Sequence, residues 1–224
     1  MIEAVDISKS YKGKSVLDSV NFSLLTGESA VIVGRNGAGK STFLSILAGY
    51  LRPECGQVSI DKKNAAFCPQ DDNLFDELTV KDNLLFWARA CESSGSFNNE
   101  PAPNLAELFE VETYIHKKVR HLSGGMKKCV AIICALSNNA DVLILDEPFS
   151  GLDIFYKNTL LSAFRRLKAS GKCIIYTSHN LDEIMGLDNK VYTLTNGKLT
   201  YMDTLEKDSN YELIRNSLLE FSKP

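Results

Sequence analysis

The chain has 224 residues, of which 44% are hydrophobic and 24% are charged, and its formal net charge is -3 at pH 7. These values fit one globular α/β domain with a full hydrophobic core, and they argue against a large nucleic-acid interface. No segment approaches the roughly 20 consecutive apolar residues that cross a bilayer, and the N-terminus alternates like a strand and has no apolar run typical of a secretory signal.

The first part of the chain is predicted to consist of strands that lead to a glycine-rich loop. Apolar and polar residues alternate over 2–7 and again over 16–24, on either side of the turn sequence Lys-Gly-Lys-Ser. The run Ser29–Val33 predicts a buried strand, and helical spacing over 40–48 predicts a helix directly after the loop. Two further short strands follow, at 57–60 and 65–68.

The loop between this strand and helix matches the pattern G-x-x-x-x-G-K-[ST], in which backbone amides hold phosphates and the lysine contacts the outer ones. Glycine is costly to order, so three glycines here indicate backbone shapes or approach distances that a side chain would block. Lys40 is expected to pair with the outer phosphates, and Ser41 to ligate Mg²⁺ together with phosphate oxygens. The predicted nucleotide-binding residues of the loop are Gly34, Asn36, Gly37, Ala38, Gly39, Lys40, Ser41 and Thr42.

From about residue 71 to residue 137 the pattern becomes helical. Helices are expected over 79–91, 104–111 and 112–119, and a polar loop rich in Ser, Asn and Pro over 93–104. We therefore predict a helical insert within one domain that spans 1–224.

Near the end of this insert, the sequence Leu-Ser-Gly-Gly-Met predicts a helix that begins at a capping serine. The two glycines leave the first helical amides uncovered, which makes this helix start a second candidate phosphate site. One nucleotide does not need two such sites from one chain. Ser123, Gly124 and Gly125 are therefore predicted to contact a nucleotide held by a neighbouring molecule, and a plain helix cap is the alternative.

The α/β pattern then resumes with an apolar strand over 142–145 that ends at two carboxylates. The C-terminal end of a buried strand is where open α/β sheets bind ligands. Asp146 is predicted to orient the shell of a metal through water, and Glu147 to face an attacking water. The remaining predicted elements are a helix over 154–168, a strand over 173–177 followed by Ser178 and His179, a helix start at Asn180 with Glu183 three residues on, an Asn-Gly hairpin near 196 and an amphipathic helix over 211–221.

Six cysteines, at positions 55, 68, 91, 129, 134 and 173, include no Cys-x-x-Cys pair, and most lie among apolar residues. They are therefore predicted to be reduced core thiols of a cytosolic, cytoplasmic protein. A zinc site is not expected, because the three histidines do not accompany the cysteines at ligand spacing.

Five motifs in this order resemble those of the ATP-binding-cassette (ABC) ATPases: Gly-Arg-Asn-Gly-Ala-Gly-Lys-Ser-Thr, Leu-Ser-Gly-Gly-Met, Leu-Ile-Leu-Asp-Glu-Pro, Ser-Gly-Leu-Asp and Thr-Ser-His. The resemblance implies an α/β fold in which a P-loop NTPase core of RecA-like type carries an N-terminal antiparallel β subdomain and an inserted α-helical subdomain. It also implies a head-to-tail dimer, with a second copy or a related ATPase, that holds two ATP molecules between the loop of one chain and the Ser123 helix of the other.

The resemblance further implies roles for four residues that the patterns alone do not assign. Tyr11 would stack on adenine, and Gln70 would sense Mg²⁺ and the attacking water. Asp153 would cross the dimer interface, although an N-cap of the next helix is equally compatible with it, and His179 would contact the γ-phosphate. The predicted catalytic residues are thus Lys40, Gln70, Glu147 and His179, and the predicted metal-binding residues are Ser41, Gln70 and Asp146.

ATP, Mg²⁺ and a separate integral membrane permease are implied in the same way, which would hold the protein at the cytoplasmic face of the membrane. Leu-Ser-Gly-Gly-Met-Lys-Lys resembles the subfamily that exports drugs, lipids or polymers, although Met126 departs from the commoner glutamine and an importer stays open. Leu74 and Phe75 could form an apolar spot that docks the permease, unless both are buried in the insert. Four acidic residues would form a charged rim around this spot: Asp71, Asp72, Asp76 and Glu77. The alternatives are an ABC ATPase of iron–sulfur cluster assembly that acts on protein partners and, disfavoured by the single acidic cassette, a nucleic-acid machine.

Overall fold

The computed structural model of the protein describes residues 1–60, 65–92, 105–138, 140–187 and 189–204. Within these ranges the strands are β1 Ile2–Tyr11, β2 Lys14–Leu24, β3 Ser29–Val33, β4 Cys55–Ser59, β5 Ala65–Cys68, β6 Val142–Leu145, β7 Cys173–Thr177, β8 Asn189–Thr195 and β9 Lys198–Thr204. The α-helices are α1 Lys40–Leu47, α2 Val80–Glu92, α3 Leu105–Leu108, α4 Gly124–Ala135, α5 Ile154–Ala169 and α6 Leu181–Met185.

The strands form two sheets. A three-stranded antiparallel sheet has the order β2-β1-β4, and a six-stranded sheet has the order β5-β6-β7-β3-β8-β9. Every neighbouring pair from β5 to β8 in the larger sheet is parallel, and only β9 joins antiparallel, through the Asn196-Gly197 turn. Because parallel strands present their carboxyl ends at one edge, the loops after β3, β6 and β7 emerge side by side.

Apolar layers cover both faces of the larger sheet. All five residues of β3 are buried, and its four apolar residues alternate between two cores. Val31 and Val33 belong to the core formed with α4 and α5, whereas Ala30 and Ile32 belong to the core formed with α1 and the three-stranded sheet. A strand buried on both faces needs a continuous apolar run, which is the pattern that predicted it.

The segment predicted as a helix over 112–119 is not an α-helix, and that prediction is wrong. It forms two 3₁₀ turns, Val111–Tyr114 and Val119–His121. The carbonyls of Ile115 and Lys117 accept hydrogen bonds from the first amides of α2, at Lys81 and Val80 (2.9 and 3.0 Å). These carbonyls thereby satisfy helix-terminal donors of α2, which a continued helix would leave without these partners.

Three smaller predictions have mixed outcomes. The hairpin turn is confirmed, with left-handed backbone at Asn196 (φ 50) and Gly197 (φ 78). Asn180 caps α6 as predicted, but Glu183 does not return to the Asn180 amide, because its carboxylate binds Lys157 and Ser178 instead. Of the cysteines whose side chains are described, all are free; Cys55 is exposed, and the other four are buried.

The predicted loop over 93–104 and helix over 211–221 lie outside the described residues. Among the described helices, none has both the length and the apolar character needed to cross a bilayer.

Candidate functional site

A cleft of about 370 Å³ lies beside the glycine-rich loop. It joins the end of β1, the start of β2, the loop, the segment after β5 and the segment after β6. Its lining residues are Tyr11, Val16, Asn36, Gly37, Gly39, Lys40, Ser41, Thr42, Gln70 and Glu147. Residues far apart in sequence therefore converge on one site, and nine of these ten were predicted as site residues, Val16 being the exception.

The glycines of the loop are required for two physical reasons. Gly39, the N-cap of α1, has a left-handed backbone (φ 104), and a Cβ there would lie 2.8 Å from Val16 Cγ1. A Cβ on Gly34 would lie 2.5 Å from the carbonyl oxygen of Leu194 on β8. The loop therefore adopts a shape and a depth against the sheet that side chains would prevent.

Lys40, the first residue of α1, turns its side chain back into the loop. Its Nζ donates to the carbonyl oxygens of Gly34 (2.8 Å) and Arg35 (3.2 Å), and the residue is buried. Burial lowers the pKa of Lys40, and the nearby carboxylates of Glu147 and Asp146 oppose that shift. The loop thus holds a largely desolvated ammonium group at the N-terminus of α1, where anions are favoured.

The carboxylates after β6 are organised by one hydroxyl from β7. Thr177 Oγ1 donates to Asp146 Oδ1 (2.7 Å) and accepts the backbone N–H of Glu147 (2.7 Å). Asp146 is buried and Thr177 is completely inaccessible, whereas Glu147 reaches the cleft. Glu147 has a left-handed backbone (φ 45), a conformation that is costly for a residue with a side chain and that the Thr177 bond helps to hold.

His179, two residues beyond β7, lies on the other side of Glu147. Its Nδ1 is 3.8 Å from Glu147 Oε1, and its side chain is 69% exposed. Together with Ser178 and Lys157 it lines a second, smaller cavity of about 150 Å³ that Glu147 also lines. Glu147 is therefore the side chain shared by the two cavities, and His179 is not part of the lining of the larger one.

The Ser123 helix start is fully formed, but it is separate from the cleft. Ser123 caps α4 by accepting the N–H of Met126 (3.3 Å), and Ser123 and Gly124 are exposed. Gly125 is buried against α5, and a Cβ there would lie 3.1 Å from the Tyr156 ring. None of the three lines the cleft of their own chain, so their predicted phosphate contact requires a second molecule.

Three further predicted residues occupy defined positions. Tyr11 ends β1, is 47% exposed and borders the cleft. Gln70 lines the cleft two residues after β5. Asp153 caps α5 by accepting the N–H of Tyr156 (3.0 Å), as the alternative for this residue anticipated, and it stays exposed.

The acidic residues near Leu74 are mostly neutralised within the chain. Asp76 binds Lys127 (2.8 Å) and Glu77 binds Arg120 (2.9 Å). Asp72 faces Lys128 at 3.1 Å, so the predicted acidic rim is largely engaged in ion pairs.

The two apolar residues of this segment, Leu74 and Phe75, differ in burial. Leu74 packs against the core and lines a groove of about 50 Å³ with Trp87 and Phe67. Phe75 stays 43% exposed, with its ring against the exposed ring of Phe86. The interpretation that both are buried in the insert holds only in part, for Leu74.

The donor set suits a cation that keeps phosphate ligands. Among the described residues no three His, Cys, Asp or Glu side chains are placed to bind a metal by themselves. The hydroxyl of Ser41 and the side chain of Gln70 line the cleft, and Asp146 is buried just behind Glu147. Such sparse oxygen donors fit Mg²⁺, which usually keeps waters and binds through substrate phosphates.

Comparisons with known proteins agree with this geometry. A family model described as "ABC transporter" matches residues 17–150. Nod factor export ATP-binding protein I of Mesorhizobium japonicum is 33% identical over 208 residues, 88% of this chain and 61% of that protein. Linearmycin resistance ATP-binding protein LnrL of Bacillus subtilis is 30% identical over 215 residues, 91% of this chain and 69% of that protein. The chain thus spans about three fifths to two thirds of these relatives.

Among solved structures, the dimeric post-hydrolysis state of the ATP-binding cassette MJ0796 bound to ADP and Pi matches with a TM-score of 0.80 and 25% identity. The match covers 92% of this chain and 99% of that one. The predicted fold, an α/β core with an antiparallel β part and helices, is confirmed.

Proposed function

We propose a specific role for this chain on one established premise: it belongs to the ABC transporter family, as an ATP-binding subunit. It binds ATP and Mg²⁺ in the cleft at Lys40 and hydrolyses ATP to ADP and phosphate. This reaction powers a permease formed by a separate membrane chain, at the cytoplasmic face. Export of a drug, lipid or polymer is the direction we favour, because the two relatives are named for export of a Nod factor and for resistance to linearmycin.

One observation carries the hydrolytic role: Glu147 lines the same cleft as Lys40 and Gln70. In phosphoryl transfer, catalysis is mostly positioning and stabilisation of charge on the transferred group. Lys40 would pair with the outer phosphates, and Glu147 would accept a proton from the water that attacks the γ-phosphorus as the bond to ADP breaks. His179, 3.8 Å from Glu147, would contact the γ-phosphate from the opposite side.

Ser41 and Gln70 would hold Mg²⁺ directly, and Asp146 would hold it through water. When bound, this ion neutralises charge on the β- and γ-phosphate oxygens. Asp146 is prepared for this role, since Thr177 fixes one of its oxygens in the buried interior.

The remaining donors come from a second molecule. Ser123 and Gly124, at the exposed start of α4, do not line the cleft of their own chain. The uncovered amides at this helix start would instead bind phosphate held by a second molecule. We propose that two copies associate head to tail, so that the Ser123 helix of one completes the cleft of the other. The dimeric state of the matching cassette supports this arrangement.

Thr177→Val tests the organisation of the carboxylates. We expect kcat to fall roughly 10-fold or more, because valine removes two hydrogen bonds worth about 1 kcal/mol each while keeping the shape of the side chain. Thr177→Ser, which keeps the hydroxyl, should retain most of the activity. Steady-state ATPase kinetics measure both, and a wild-type kcat for Thr177→Val would exclude this positioning role.

The permease would dock at the groove between the sheet and the helices after β5. Trp87 of α2, Leu74 of the segment before α2 and Phe67 of β5 line this groove, and the exposed Phe75 ring extends the apolar surface. We expect Leu74→Ser with Phe75→Ser to abolish copurification with a membrane protein from detergent extracts. Leu25→Ser, which changes an exposed leucine in the turn after β2, is the matched control and should have no effect.

The same extraction tests the permease proposal as a whole. Recovery with an integral membrane protein supports it. Recovery with a protein scaffold in the absence of membranes would instead favour the cluster-assembly alternative.

A further inference from the structure

We propose that Lys128 is a positioning residue that joins α4, the helix capped by Ser123, to residues 68–72, here called the Gln70 segment. Through Lys128 the helix and this segment move as one unit. The proposal rests on the proposed function, in which Gln70 contacts Mg²⁺ and the attacking water. Its basis is one buried side chain that leaves α4 and contacts the chain at Gln70 and Asp72.

The contacts of Lys128 are short and enclosed. Lys128 is 4% exposed, and its Nζ donates to the backbone carbonyl oxygen of Gln70 (2.7 Å). The same Nζ lies 3.1 Å from Asp72 Oδ1, an atom that is fully buried and makes no aligned hydrogen bond. A buried carboxylate oxygen is costly unless a cation faces it, so Asp72 and Lys128 depend on each other.

The Gln70 segment is therefore held at two points. At one end the carbonyl of Cys68, the last residue of β5, accepts the N–H of Asp146 at 2.9 Å, which ties the segment to the sheet. At the other end Lys128 ties the Gln70 carbonyl to α4. The stretch between Cys68 and Gln70 is thus the joint between the catalytic edge of the sheet and the helix that carries Ser123.

This arrangement has a mechanical consequence. Lys128 lies one turn into α4, and Ser123 lies at its N-terminus. Any displacement of α4 that brings Ser123 onto the nucleotide of a second molecule also pulls on the Gln70 carbonyl. Gln70 lines the cleft of its own chain. Closure of the Ser123 helix on the nucleotide of a second molecule would therefore reposition Gln70, a proposed Mg²⁺ ligand, at the nucleotide of its own chain.

Neighbouring Lys127 offers a matched control. It belongs to the same helical turn and also forms an ion pair, with Asp76 at 2.8 Å, but the Asp76 side chain is 62% exposed. Lys127 Nζ forms its ion pair with Asp76, whereas the Gln70 carbonyl accepts from Lys128, and surface pairs of this kind contribute little. Loss of Lys127 therefore removes a charge from the same helix without releasing the Gln70 segment.

The test compares purified variants of this chain in ATPase kinetics and in ATP binding with Mg²⁺ and with EDTA. For Lys128→Met we expect kcat to fall about 10-fold or more, since a misplacement of about 1 Å can cost 10²-fold. The gain in ATP affinity that Mg²⁺ provides should fall to the level of Gln70→Ala, while affinity in EDTA stays at the wild-type value. Lys128→Arg should restore both quantities, and Lys127→Met should leave both unchanged.

A second variant separates positioning from folding. Lys128→Met combined with Asp72→Leu removes both buried charges, and such neutral replacements often preserve or raise stability. It should melt at or above the wild-type temperature and yet keep the low kcat and the reduced Mg²⁺ effect. Wild-type kcat and Mg²⁺ effect in this double variant would overturn the proposal.

Gln70→Ala separates the proposed role of Gln70 from the proposed role of Lys128. If it matches the wild type in kcat and Mg²⁺ effect, the proposed role of Gln70 is wrong. If it impairs both while the Lys128 variants do not, only the positioning role of Lys128 is wrong.

Discussion

Glu147→Gln is expected to lower the rate of ATP hydrolysis by about 10²- to 10⁴-fold, which is the contribution of a well-placed general base. Glutamine keeps the size of the side chain but has no carboxylate to accept a proton from water. On the side of residue 147 the bond to the Thr177 hydroxyl uses only the backbone N–H, so the left-handed turn should persist. ATP should still bind, since Lys40 and the loop are unchanged.

The variant should also accumulate as a dimer with ATP and Mg²⁺, but not with ADP, because the triphosphate that joins the two copies is no longer consumed. Light scattering with each nucleotide measures the assembly, and phosphate release measures the rate. Glu112→Gln changes an exposed carboxylate outside the cleft and should behave as the wild type. Hydrolysis at the wild-type rate by Glu147→Gln would remove this residue from the role of base.

Ser123→Arg should reduce hydrolysis by about 100-fold or more, as expected when donors to the transferred phosphate are lost. A guanidinium side chain at the start of α4 would occupy the space that the partner's nucleotide needs. Binding of ATP to the loop of the same chain should continue, because Ser123 does not line its own cleft. The Glu147→Gln, Ser123→Arg double variant should therefore bind ATP as a monomer.

Loss of the helix cap is a competing explanation, since removal of a serine cap costs about 1 kcal/mol. Ser123→Asp and Ser123→Asn separate the two effects. Both residues are good caps, and aspartate also favours the helix dipole, so both variants should fold well. Only Ser123→Asp places a negative charge against the partner's phosphates and should lose hydrolysis, whereas Ser123→Asn should retain part of it. Equal activity of the two, or undiminished turnover by monomeric Ser123→Arg, would contradict the dimer.

Several elements could be predicted from local sequence because their causes are local. The strand Ser29–Val33 is buried on both faces and therefore reads as a continuous apolar run. The loop shape needs glycine at Gly39 because φ is 104 there, and the Ser123 cap bonds an amide only three residues on. The roles of Tyr11, Gln70 and His179 came instead from resemblance to a family. The structure brings Tyr11 and Gln70 to the cleft and His179 to the adjoining cavity.

Other features depended on partners far away in the chain. The segment 112–119 has helical composition, yet its carbonyls serve the first amides of α2, and tertiary bonding outweighed local preference. Asp72 and Asp76 were expected to form part of the rim of an exposed docking surface. They instead form ion pairs with Lys128 and Lys127, which follow 50 or more residues later in the chain. No local pattern shows that such a charge is already paired.

The sequence by itself therefore determined the phosphate loop, the start of the Ser123 helix and the identity of the carboxylates, since each is encoded within a few consecutive residues. Only the tertiary structure decided how these parts are held. Thr177 is an ordinary strand residue until β6 and β7 pair and place its hydroxyl between Asp146 and Glu147. Lys128 is one of two adjacent lysines until helix packing buries it against Gln70. The physical reason is that a hydrogen bond or ion pair between distant residues depends on their separation in space, which the fold alone establishes.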